Sequence, residues 1–181
     1  MEVSQAQREV RTVFLGGSIG QAVSGVIWLI SAALGTWVSV RYGVVALAVG
    51  GAAIFLLTQL TLKIMGRRVG LDRSNPFNQL AMQTAFIVPL CLPVIGAATL
   101  YNVNWFYPAF LIVVGAHYLP FVTLYGMWQY GVLGALFIGS GFLIGMYLPH
   151  NFALGGWVGA AILLIFAAVI AVTRNSDESQ E

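Results

Sequence analysis

Residues 152–173 read FALGGWVGAAILLIFAAVIAVT, an apolar run without one charged or amide side chain. A helix rises about 1.5 Å per residue, so roughly 20 such residues cross the hydrocarbon of a bilayer. Working outward, runs of the same kind occupy 13–38, 43–64, 77–101, 105–126 and 129–149, and none of the six contains Asp or Glu. Membrane β-strands are short and alternate apolar with polar residues. These runs are continuous and rich in Gly and Ala, so the expected fold is all-α, a polytopic membrane bundle of six transmembrane helices forming a single domain over 1–174. The polar residues 175–181 are expected to form a disordered cytoplasmic tail.

Composition agrees. Of 181 residues, 59% are hydrophobic and 8% charged, whereas about a quarter of a soluble domain is charged. The cations set an orientation, because short cytoplasmic loops collect Lys and Arg. Arg8 and Arg11 precede the first run, Lys63, Arg67, Arg68 and Arg73 lie between the second and third, and Arg174 follows the sixth. Only Arg41 falls on the other side, so both termini are expected in the cytoplasm, and the membrane is expected to be a prokaryotic inner membrane. Trp37, Tyr42, Tyr101, Trp105, Tyr107, Tyr147 and Trp157 are expected in an outer aromatic belt, with Tyr125, Trp128 and Tyr130 in an inner one. Trp28 alone falls near mid-membrane.

Before the first run, Ser4 and Gln7 have capping-box spacing, and Val3, Ala6, Val10 and Val13 recur at helical steps. A short interfacial helix is expected there. Arg8 and Arg11 ahead of an apolar run also have the layout of a signal peptide, with Ser31-Ala32-Ala33 as its cleavage site; the expectation is a retained anchor.

Pro76 and Pro108 suit the first turns of their helices and Pro149 the end of the fifth. Pro89, Pro93 and Pro120 are interior, where proline removes a hydrogen bond and crowds the carbonyl four residues back. Kinks expected there free the carbonyls of Ala85, Pro89 and Ala116, and such backbone is tolerated in a membrane only where protein or water covers it. The bend zone is the natural place for a cavity.

Few polar side chains enter the spans. Gln21, Gln59, Gln83 and His117 fall roughly 3 to 9 Å from mid-span toward the arginine-rich side, counting about 1.5 Å per residue. A buried amide costs several kcal/mol unless paired, so these groups are expected to meet one another, either as glue between helices or as the lining of a vestibule open to the cytoplasm. Gly17, Gln21, Ser24, Trp28, Ser31 and Gly35 recur every three or four residues and make one small, polar stripe across the first helix. The candidate lining residues are Gln21, Ser24, Trp28, Gln59, Gln83, Cys91 and His117.

Small-xxx-small spacings at Gly16, Gly20 and Ser24, at Gly131, Ala135 and Gly139, at Gly141 and Gly145, and at Gly155 and Gly159 supply packing seams. They serve equally to close one bundle or to join copies into a homo-oligomer.

Catalytic signals are poor. Gly16-Gly17-Ser18-Ile19-Gly20 matches G-x-S-x-G, but that chemistry needs a strand-to-helix turn, and the stretch falls in an expected helix. One cysteine excludes an intrachain disulfide and a multi-cysteine metal site. Neither an enzyme nor a metal or cofactor is expected, and nucleic acid is not an expected partner.

Gly66-Arg67-Arg68-Val69-Gly70-Leu71-Asp72-Arg73 is similar to the loop signature of major facilitator transporters, with its acidic and basic members in reverse order. Lys63, Arg67, Arg68 and Arg73 are instead expected to contact lipid head groups. His117-Tyr118-Leu119-Pro120-Phe121, followed by Leu124-Tyr125-Gly126, resembles an uncharacterised prokaryotic family of small integral-membrane proteins. That resemblance implies an inner-membrane protein and carries no activity with it. The functional expectation is a channel or transporter-like protein that binds or passes a small neutral or weakly polar solute. The alternatives are a non-transporting assembly or regulatory protein and, third, an enzyme acting on lipid.

Overall fold

The structure, a computed structural model, describes residues 1–148 and 150–178, with side chains as far as residue 173. Among the described residues every regular element is helical: α1 Val3–Phe14, α2 Ser18–Trp37, α3 Val40–Ile64, α4 Asn78–Tyr101, α5 Phe106–Tyr125, α6 Gln129–Tyr147 and α7 Leu154–Glu178. Among the described residues six helices are long and apolar enough to cross a membrane, and they match the six runs to within a few residues. The last continues through Glu178, past the expected end at 173, while 179–181 and Pro149 lie outside the described residues.

The first run does not begin a helix at 13. The chain breaks at Leu15–Gly17, where three successive residues take positive φ of 53°, 64° and 87°. Left-handed backbone is free of steric cost only for glycine, which Gly16 and Gly17 supply, and α2 starts at Ser18. The G-x-S-x-G stretch therefore straddles this break instead of lying inside a helix, and the buried Ser18 hydroxyl donates to the Leu15 carbonyl at 2.9 Å.

The expected helix ahead of the first span is α1, with Ala6, Val10 and Val13 buried. It is not closed by a capping box: Gln7 Nε2 donates instead to the Thr123 carbonyl at 2.7 Å, and Arg11 Nη1 to the Tyr125 carbonyl. Both carbonyls belong to the last turn of α5, whose own N–H partners run out there. Glu9 ties α1 to the α3–α4 loop, accepting from the Asp72 amide at 2.6 Å and from Asn75 Nδ2 at 2.9 Å. Helix α1 is thus folded under the arginine-rich end of the bundle. Pro76 sits just before α4, in a turn where Asn75 Oδ1 accepts the Phe77 N–H at 2.9 Å.

Helices α2, α5, α6 and α7 form the packed centre, with α3 laid on α2 and α4 on α5. Trp28 is 2% exposed at its heart, edge-on to Phe110 and Phe137. The glycine seams close this single chain: a Cβ at Gly159 would lie 2.4 Å from Trp28, one at Gly25 2.8 Å from Leu164, and one at Gly115 2.8 Å from the Gly134 carbonyl. Trp37, Tyr42, Tyr101, Trp128 and Tyr147 are exposed at helix ends. Tyr107, Tyr125 and Tyr130, expected in the belts, are instead buried. Tyr107 meets Ser31 and Tyr130 donates to the Gly16 carbonyl at 2.7 Å, so each ring is interior and its hydroxyl satisfied.

Candidate functional site

Helices α3 and α4 hardly touch each other. Each lies against its own neighbour, so a wedge of space remains between them, backed by α2 and α5. This wedge holds a cavity of about 440 Å³. Each helix gives it one stripe at helical spacing: Gly17, Gln21, Ser24 and Trp28 from α2 and its preceding turn, Leu47, Gly51, Ile54, Phe55, Thr58 and Gln59 from α3, Ala81, Ala85, Val88, Pro89 and Leu92 from α4, and Phe110, Val114, His117, Tyr118 and Phe121 from α5.

Of the residues expected from sequence, Gln21, Ser24, Trp28, Gln59 and His117 line this space, and Gln83 and Cys91 are not among its lining. The wall of α4 is built from Ala81, Ala85, Val88, Pro89 and Leu92. At about 100° per residue Gln83 points roughly opposite to them and Cys91 about a quarter-turn aside; Gln83 is exposed on the outer surface. Ser31 and Gly35 lie beyond the cavity. The Ser31 hydroxyl donates to the Gly43 carbonyl at 2.7 Å and stands 2.6 Å from the Tyr107 hydroxyl, and Gly35 packs on Gly43 and Phe152. The stripe on α2 therefore changes partner midway, from cavity to helix packing, with Trp28 at the boundary.

The polar groups of the wall differ in how well they are satisfied. Tyr118 donates to Gln21 Oε1 at 2.9 Å, which settles that buried pair. His117 Nδ1 is enclosed and has no hydrogen-bond partner among the described residues. Thr58 Oγ1 is likewise enclosed and unpartnered. Its isolation contrasts with Thr36, Thr61, Thr84 and Thr99, whose hydroxyls all donate to the carbonyl four residues earlier. Sequence reasoning left out Thr58 and Tyr118. The depth of Thr58 and the adjacency of Tyr118 to His117 were available as signals, but only the helix phase brings them to the cavity.

At the arginine-rich end Phe14 and Gly17 line the cavity, and α1 lies across that end, held by its bonds to α5 and to the α3–α4 loop. Lys63, Arg67, Arg68 and Arg73 are exposed around it, with Arg68 Nη1 3.9 Å from Glu9.

These features define a class: a multi-pass helical membrane protein with a mostly apolar cavity between its spans. Within that class the chain belongs to a family of unknown function, DUF7010, whose model matches residues 3–173. No curated protein and no solved structure matches the chain.

Proposed function

We propose that this protein binds a small, neutral, weakly polar molecule in the cavity between α2, α3, α4 and α5. The observation that carries this reading is the pair of enclosed, unpartnered polar atoms, His117 Nδ1 and Thr58 Oγ1, in the walls of a mostly apolar space. Buried polar atoms without partners are rare and costly, and cavities of roughly 300–1,000 Å³ with a few convergent polar groups are the common form of a small-molecule site. Binding is favoured over open passage because the space ends at Trp28, beyond which the Ser31, Tyr107 and Gly43 contacts close the bundle.

The test uses a variant in which Trp37, Trp105, Trp128 and Trp157 are replaced by Phe, so that Trp28 reports alone, reconstituted in nanodiscs and titrated with phenol. A saturable change in Trp28 emission that Gly51→Phe removes supports the reading. Gly51 suits this purpose because it lines the cavity and a Cβ there meets nothing within 4 Å, so a side chain can start there without an immediate clash. A linear response, or one unchanged by Gly51→Phe, overturns it.

The cations carry a second part of the proposal: the termini face the cytoplasm of a prokaryotic cell, and Lys63, Arg67, Arg68 and Arg73 rest against anionic head groups. A membrane-impermeant maleimide should label Arg41→Cys but not Arg73→Cys in intact cells of a Cys91→Ser background, and the opposite pattern overturns the orientation.

A further inference from the structure

We propose that the cavity takes its occupant sideways from the bilayer, through the gap between α3 and α4, and that this occupant is a membrane-dissolved amphiphile carrying a hydroxyl group. The inference rests on the binding reading above and names its ligand class and route.

The route follows from the walls. Cavity-facing residues of α3 and α4 are also outward-facing: Phe55 is 64% exposed and Leu92 42%, and Ala52, Ala85 and Pro89 are exposed beside them. Side chains that line a cavity and the outer surface at once mark its mouth, and this mouth lies along two helices that face hydrocarbon. The rival route, from water at the arginine-rich end, is covered by α1, which Gln7 and Arg11 fasten to the end of α5. The vestibule expected to open toward the cytoplasm is therefore replaced in this proposal by a lateral gate.

The ligand class follows from the unpartnered atoms. A neutral imidazole has one N–H and one bare nitrogen. Placing the N–H on the other ring nitrogen leaves the enclosed, unpartnered Nδ1 as an acceptor. An acceptor in hydrocarbon calls for a donor, and the hydroxyl is the donor that a neutral membrane-soluble molecule commonly carries. Thr58 Oγ1 on α3 is also without a partner and, in this proposal, donates to the same oxygen. One hydroxyl thus gives to His117 and receives from Thr58, while apolar Val88, Leu92 and Phe110 accommodate the rest of the molecule.

The experiment compares two photoreactive probes in nanodiscs, a long-chain alcohol with a diazirine in its chain and the methyl ether of the same alcohol. The ether accepts a hydrogen bond but cannot donate one. The alcohol is expected to label peptides of α3, α4 and α5 at the cavity, with about ten-fold less labelling by the ether, the order of effect of stranding one buried acceptor. His117→Phe should abolish the preference, and Thr58→Val should reduce alcohol labelling, so that the proposal stays testable if either variant folds poorly. Equal labelling by both probes, or alcohol labelling undiminished by Gly51→Phe, overturns it. If phenol saturates the cavity yet the alcohol shows no preference, the hydroxyl-amphiphile inference fails and the binding reading stands. If phenol itself does not bind, both fail.

Discussion

Tyr118 donates its hydroxyl to Gln21 Oε1 at 2.9 Å, joining α5 to α2 at the back of the cavity. Both side chains are buried, at 5% and 3% exposure, so neither has water as an alternative. Tyr118→Phe keeps the ring and strands the amide oxygen. Hydrogen bonds between membrane helices contribute about 1 kcal/mol, and the expected result is a loss of that order in reversible unfolding in mixed micelles. Gln21→Leu combined with Tyr118→Phe should cost less than the sum of the two single changes, because the double variant leaves no orphan. Strict additivity would mean that the pair does not act as a unit.

Glycines of similar sequence spacing should respond in opposite ways. Gly159 on α7 lies against the Trp28 indole, and a Cβ there would come within 2.4 Å of a ring carbon; Gly139 on α6 has nothing within 4 Å of its virtual Cβ. Gly159→Ala must push the central tryptophan or separate α2 from α7, with an expected cost of about 1–3 kcal/mol. Gly139→Ala adds helix propensity at open space and is expected to be neutral or stabilising by up to about 1 kcal/mol. Thermal unfolding followed by size-exclusion fluorescence separates them, and equal shifts would show that Gly159 does not set the helix spacing.

The contrast between these glycines also shows where the sequence stops being informative. Spans are legible because a bilayer requires long apolar runs whatever the neighbours are, and all six runs correspond to helices. The break at Leu15–Gly17 was hidden inside such a run. Its glycines were visible, but a left-handed Leu15 is decided by packing against the rest of the bundle. Depth placed Gln21, Gln59, Gln83 and His117 at one level, and depth alone cannot tell which side of a helix a residue occupies. Gln83 fails for that reason, standing two residues from both Ala81 and Ala85. The buried tyrosines fail for another, since a ring with a polar tip fits a headgroup belt and an interior hydrogen bond equally well. Only the partners, Ser31 for Tyr107 and Gly16 for Tyr130, decide between them.

Asp72 governs the α3–α4 loop from outside the membrane. Its carboxylate accepts from the Ser74 amide at 2.9 Å and from the Ser74 hydroxyl at 2.7 Å, and these bonds, the backbone one first, hold its pKa below 3.8. A depressed carboxyl pKa contributes order that is fully present above the unfolded value and fades as pH falls through the folded one. Amide exchange at Ser74, normalised to its intrinsic rate, is therefore expected to stay constant from pH 7 to about pH 4 and to accelerate below it. Asp72→Asn should remove the dependence. Two other bonds are broken by Glu9→Ala, which frees the Asp72 amide and leaves Asn75 Nδ2 with the Ala6 carbonyl at 3.2 Å, and which is expected to speed tryptic cleavage after Arg67, Arg68 and Arg73 about two- to five-fold, the range of an exposed polar contact. Unchanged cleavage would mean that the Glu9 carboxylate does not restrain the loop.

Ser31 and Tyr107 share a contact, yet losing one should cost more than losing the other. The Ser31 hydroxyl gives its only proton to the Gly43 carbonyl at 2.7 Å, so the 2.6 Å contact with Tyr107 is made with the tyrosine proton. Tyr107→Phe removes that proton and leaves Ser31 still bonded to α3, for an expected cost of about 0.5–1 kcal/mol. Ser31→Ala removes both bonds at once and strands the Tyr107 hydroxyl in a fully buried position, for about 1–3 kcal/mol. The same change loosens α2 against α3 where a Cβ on Gly43 would already lie 2.8 Å from Gly35, and α3 is one wall of the cavity. Ser31→Ala should therefore weaken phenol binding as well as stability, while Tyr107→Phe should lower stability alone. If the two variants move both measurements in parallel, the seal beyond Trp28 does not position α3, and the wall of the site is set elsewhere.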